Sequence, residues 1–140
     1  MAYTKAGIRF SKDSYVTVDA SGGGGGVERK PLFENSDITQ EMTNTSLFEE
    51  TEIEGFDYLV FTITNTSGSW EVEEWCEIEP LKSHAGQFII SMPVDGNPYG
   101  RKIYRTSGTI KASTNVYKLG ATTEDRTVCI VKKVEAVKIG

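Results

Sequence analysis

Apolar residues along this chain come in short runs of strand length, separated by polar stretches rich in turn formers. Tyr58-Leu59-Val60-Phe61-Thr62-Ile63-Thr64 gathers aromatic and β-branched residues, Phe88-Ile89-Ile90-Ser91-Met92 repeats the pattern, and near the start Val16 and Val18 alternate with Thr17 and Asp19. The breaks carry turn chemistry: Asn65-Thr66-Ser67-Gly68, Asp95-Gly96-Asn97-Pro98, Thr106-Ser107-Gly108 and Lys118-Leu119-Gly120. No segment sustains an apolar repeat of 3.6 with caps at its ends, and only Ile38 to Glu50 has room for a short helical turn. Many short strands punctuated by turns predict an all-β domain, an antiparallel β-sandwich of jelly-roll-like character.

Side-chain parity sharpens one strand. In an extended chain from Trp70 onward, Trp70, Val72, Cys76 and Ile78 share one face, and Glu71, Glu73, Trp75 and Glu77 share the other. The first set is expected to face the core. Glu74 interrupts that face, which implies either a sheet edge or a bulge at this position. Trp75 stands among glutamates on the opposite face, with three readings open: a surface covered by a loop or the N-terminal segment, a subunit contact, or a sugar-stacking platform.

Gly22 to Gly26 is a run of five glycines. Such a run resists both helix and strand because ordering it costs the most backbone entropy. It divides the chain into an N-terminal anchoring segment at 1–21, a linker at 22–26 and a β-sandwich domain at 27–140. The whole chain is 38% hydrophobic and 10% aromatic, which gives the third part the material for one core without metals or disulfides. No apolar run reaches the roughly 20 residues of a membrane-spanning helix. The opening Met1-Ala2-Tyr3-Thr4-Lys5 lacks the apolar stretch and cleavage site of a signal peptide, which predicts synthesis in the cytoplasm.

Charge is uneven. The formal net charge is −5, yet between Glu49 and Glu79 lie ten acids and no lysine or arginine, whereas Lys82 to Gly140 holds 10 bases against four acids. A block of one sign is either a solvated face, a cation site or half of a complementary contact between copies. No Asp-x-Asp-x-Asp-Gly loop supports calcium, and the acidic balance without a basic, aromatic-studded stripe disfavours nucleic acid.

Catalytic chemistry finds little to work with. Cys76 and Cys129 lie far apart in apolar runs and read as buried free thiols; His84, the single histidine, reads as a loop residue beside Gly86. Neither a zinc ligand set nor a Gly-x-Ser-x-Gly elbow is present, and no Gly-Lys-Ser/Thr follows the glycines to make a phosphate cradle. No cofactor, metal or enzyme activity is expected.

The order of short motifs carries a resemblance. The glycine run, Pro31-Leu32-Phe33-Glu34-Asn35, Phe56-Asp57-Tyr58-Leu59-Val60-Phe61, Tyr104-Arg105-Thr106-Ser107-Gly108-Thr109-Ile110 and the closing Val134-Glu135-Ala136-Val137-Lys138-Ile139-Gly140 together resemble small β-rich tail-appendage and minor virion structural proteins of tailed bacteriophages and prophages. The chain departs from that pattern at its last strand, where an aromatic and a glycine are replaced, and at Phe33, where tryptophan is common. The resemblance implies a non-enzymatic virion component: a tail fibre or tip protein anchored by its N-terminus, homotrimeric, contacting other virion proteins and engaged in host adsorption. The alternative it leaves is a capsid decoration or head-fibre protein. On the first reading, Trp75, Tyr99 and Tyr117 are the candidate contacts to a host-surface glycan or protein.

Overall fold

The computed structural model describes residues 27–79, 81 and 86–139; the glycine run, the anchoring segment with Val16 and Val18, and His84 lie outside the described residues. Eight strands follow in chain order: β1 (Val27–Glu34), β2 (Thr45–Glu49), β3 (Tyr58–Thr64), β4 (Glu71–Glu77), β5 (Gln87–Val94), β6 (Asn97–Thr106), β7 (Thr109–Lys118) and β8 (Ile130–Ile139). They form two antiparallel four-stranded sheets, β1-β8-β3-β4 and β2-β7-β6-β5. The all-β sandwich expected from the strand pattern is the fold of this chain. The last two strands enter different sheets, β8 between β1 and β3 and β7 between β2 and β6. The remaining pairs include sequence neighbours, β3 with β4, β5 with β6 and β6 with β7.

Local chemistry accounts for the neighbour pairings. Asp95-Gly96 joins β5 to β6 and Ser107-Gly108 joins β6 to β7, all four residues at positive φ (50°, 81°, 50° and 83°). Two consecutive left-handed residues make the hairpin turn whose twist matches the strands it connects. The core between the sheets is built by alternate residues: Leu59, Phe61 and Ile63 from β3, Val134 and Ala136 from β8, Ile90 and Met92 from β5, and Ile110, Ala112 and Val116 from β7, all buried. Phe61 and Phe88 meet edge to face across the sheets, with ring centres 5.7 Å apart.

Among these apolar groups sits Arg101 of β6, with no exposed surface. Its Nε donates to the Cys129 carbonyl at 2.7 Å, and Nη1 donates to the carbonyls of Ser113 and, at 3.2 Å, Thr114. The β6–β7 register jumps from Arg101↔Val116 to Ile103↔Ala112, so three residues of β7 oppose Lys102 alone. Such a bulge leaves carbonyls without ladder partners. Arg101 supplies the donors. Burial draws its pKa down to about 10, so the group stays charged at neutral pH.

The strand edges explain Glu74. β4 and β5 are each one of the two edge strands of their sheets and lie against one another, and Glu74 Oε1 accepts the backbone N–H of Ser91 at 2.9 Å. The β3–β4 register runs without a shift, so the sheet edge, not a bulge, accommodates this carboxylate in a core-facing position. Val72 and Cys76 pack on the core as their parity requires, but Trp70 does not: it is 52% exposed. Trp70 lies one residue before the last rung, Thr64↔Glu71, and its carbonyl accepts from Thr64 Oγ1 at 2.7 Å instead of entering a ladder. The helical turn expected within Ile38 to Glu50 is displaced as well. Thr45–Glu49 pairs with β7 as β2, and a single 3-10 turn follows at Glu50–Ile53, with Glu52 Oε2 accepting the Glu49 N–H at 3.0 Å.

Replacing the guanidinium by an apolar stem is expected to leave the buried Cys129 carbonyl and the part-buried carbonyls of Ser113 and Thr114 without these donors. Arg101→Met should cost about 3 kcal/mol in urea unfolding, and Arg101→Lys, which carries the charge without the fork, should recover only part of it.

Candidate binding groove

The two outer faces of the sandwich differ in character. On the β1-β8-β3-β4 sheet, Arg29 and Trp75 reach toward each other from opposite edge strands until the guanidinium carbon lies 5.5 Å from the indole centre. Tyr58 meets the indole edge-on at 6.0 Å, and Arg29 also pairs with Glu135 at 3.7 Å. Val60, the register partner of both Trp75 and Glu135, is fully buried beneath them. Trp75 therefore lies on the glutamate-bearing face, as parity predicts, and helps to cover that face with residues of its own sheet.

The outer face of β5-β6-β7 is open. Arg101 and Ile103 point inward on β6, which sends Gly100, Lys102 and Tyr104 outward. Gly100 stands at a close approach: a Cβ there would lie 2.5 Å from Ile89 Cγ2 and 2.7 Å from Leu119 Cδ2. The missing side chain lets those two residues fold inward from either side. The two extra residues of β7 raise Ser113, Thr114 and Asn115 into a rim. The result is a groove of about 470 Å³ lined by Asn44, Ile89, Gly100, Lys102, Tyr104, Ser113, Thr114, Asn115, Tyr117 and Leu119. Its volume falls within the range of roughly 300–1,000 Å³ usual for small-ligand clefts.

Its polar groups are held in place. Tyr104 Oη donates to Asn44 Oδ1 at 3.2 Å, and the Lys102 ammonium stands 5.5 Å from the centre of the Tyr104 ring. Asn115 Nδ2 donates to Glu124 Oε2 at 2.6 Å, and Arg126 Nε donates to the same oxygen at 2.6 Å. These bonds, Arg126's foremost, hold the Glu124 carboxyl below its ordinary range and fix it just outside the groove. No carboxylate is among the lining residues. Ile89, Tyr117 and Leu119 are 47%, 43% and 44% exposed, a concentration of apolar surface on one sheet face.

Of the three residues singled out in the sequence, Tyr117 lines this groove. Trp75 lies on the other sheet. Tyr99 shares the inward parity of Arg101 and packs half-buried against the core, its carbonyl accepting from Cys129 Sγ at 3.0 Å. The structure thus brings none of the three together. Lys102, Tyr104, Asn44 and Ile89 escaped sequence reasoning, although the alternation Gly100-Arg101-Lys102-Ile103-Tyr104 places Lys102 and Tyr104 on one face. Cys129 is a buried free thiol, as its apolar setting suggests, and burial pushes it up to about 12; Cys76 is half-buried, not fully buried. The acidic block is partly neutralised within the chain, by Lys132–Glu71 at 2.9 Å and Arg105–Glu50 at 3.2 Å.

A second hollow, of about 610 Å³, lies where Phe56, Asp57, Tyr58, Glu77, Ile78, Glu79 and Ile139 meet. It is rimmed by acids, and its Asp57 Oδ2 already accepts the Ile139 N–H at 2.9 Å. Comparison with family models, with curated proteins and with solved structures finds no match to this chain.

Two outcomes follow from this geometry. Gly100→Ala is expected to cost about 1–2 kcal/mol by pushing Ile89 and Leu119 apart, and Ile89→Ala in the same chain to relieve part of that loss, a non-additivity readable in a denaturant cycle. For Cys129 the folded pKa lies above the unfolded value of 9.0, so the thiol's contribution to stability is complete below pH 9 and is lost as pH rises toward about 12. Unfolding free energies of the wild type and Cys129→Ala should therefore converge as the pH is raised across that window.

Proposed function

We propose that this chain is a non-enzymatic structural protein of a tailed bacteriophage particle, a tail appendage anchored through its N-terminal segment and acting in host adsorption through its β-sandwich. The observation that carries the reading is the open groove on the solvent face of β5-β6-β7, where Ile89, Tyr117 and Leu119 stand exposed around Gly100 and the bulge-raised rim. Aromatic and aliphatic side chains clustered on one face, with amide and hydroxyl groups beside them, suit recognition of a surface. The order of motifs along residues 22 to 140 supplies the virion context. Assembly as a homotrimer belongs to the same reading, with the remaining acids of the 49–79 region facing the basic C-terminal portion of a neighbouring copy.

Purified protein is expected to bind host cells and to slow adsorption of the phage, with Tyr117→Ala weakening both effects. Binding to empty capsids with no binding to cells would instead make it a head protein. Light scattering should give a trimer whose dissociation rises with salt; a monomer at micromolar concentration would remove the trimer from the proposal.

A further inference from the structure

We infer that the β5-β6-β7 groove is a binding site for a short acidic saccharide, with Lys102 as the residue that selects the acidic group. The inference deepens the adsorption reading and rests on it for the source of the sugar, not for the chemistry of the site.

The lining decides the ligand class. A pyranose presents an apolar C–H face and a rim of hydroxyls. Tyr117, Ile89 and Leu119 offer apolar surface to the first, and Asn44, Tyr104 and Asn115 offer amide and phenol groups to the second. Asn115 is oriented by Glu124, and Tyr104 is bonded to Asn44, so these groups are ordered before any ligand arrives. The charge is the specific element. Lys102 is the single cation among the lining residues, no lining residue is acidic, and among the described residues no carboxylate comes within ion-pair distance of its ammonium. In a chain of net charge −5, a lysine held over a tyrosine ring with no carboxylate of the described residues in ion-pair range is placed to receive an anion. A carboxylate on a sugar ring satisfies the charge and the stacking surface at once. A bare inorganic anion would leave the apolar wall unused, and a neutral sugar would leave the ammonium unanswered.

The test uses the full chain and two probes, a glucuronic-acid-containing disaccharide and its carboxyl-reduced neutral counterpart, followed by amide and methyl chemical shifts. The acidic disaccharide should shift resonances of Ile89, Gly100, Tyr117 and Leu119 and leave exposed Trp70 unmoved. Lys102→Met, which keeps the stem over Tyr104, should weaken the acidic probe about ten- to a hundredfold and leave the neutral one unchanged. Tyr117→Ala should weaken both. Equal binding of the two probes to the wild type, an unaltered affinity in Lys102→Met, or no groove shifts at millimolar probe would each overturn the site. Host-cell binding without groove shifts would sink this inference and leave the adsorption reading standing. Groove shifts with no cell binding would do the reverse.

Discussion

A charged guanidinium in the middle of a hydrophobic core is the constraint around which the rest of this sandwich is arranged. Arg101 connects three places that strand ladders alone would leave apart: its own strand β6, the bulged stretch of β7, and the chain at Cys129 just before β8 begins. A bulge carrying two surplus residues turns part-buried carbonyls toward the inner side of a sheet, away from any ladder partner. Placing five N–H donors on one planar, permanently charged group answers several of those carbonyls together. The cost is desolvation of the charge, visible as the lowered pKa; the return is a fixed irregularity in an otherwise regular sheet.

That irregularity shapes the outer surface. The carbonyls of Ser113 and Thr114 turned toward Arg101 anchor from inside the same residues that form the rim outside, and Gly100, adjacent to Arg101, provides the floor. The groove and the buried arginine are two sides of one local departure from strand geometry. Such a site sits on strands and inherits their rigidity, unlike one built from a loop.

Much of the architecture was legible in the residues because it is governed by short-range rules. Asp95-Gly96 and Ser107-Gly108 announce their hairpins, and the run Tyr58 to Thr64 is β3 to the residue. Parity put Trp75 with the glutamates and Val72 and Cys76 on the core; it failed at Trp70 because alternation has meaning only while a ladder continues. What was not legible depends on distant partners. That β8 inserts between β1 and β3 cannot be read from any window of sequence, and Thr45–Glu49 becomes a strand because β7 is there to receive it. The groove fell in the same gap: Tyr117 was visible as an isolated aromatic, whereas Lys102 and Tyr104 gained significance only when the β7 bulge and the absent Cβ of Gly100 made a hollow beside them.

The carboxylate of Glu74, resting on the backbone N–H of Ser91, has a bearing on how copies of this molecule meet. An edge strand with free N–H groups invites the strand of another molecule to continue the sheet, and indefinite stacking follows. Here the donor at the centre of β5 is occupied by a side chain from the neighbouring sheet's own edge, and Pro93 removes a further donor nearby. On this flank the β5 edge therefore offers fewer free donors to an added strand, and one bond between the sheets' own edges takes the place such a strand would claim.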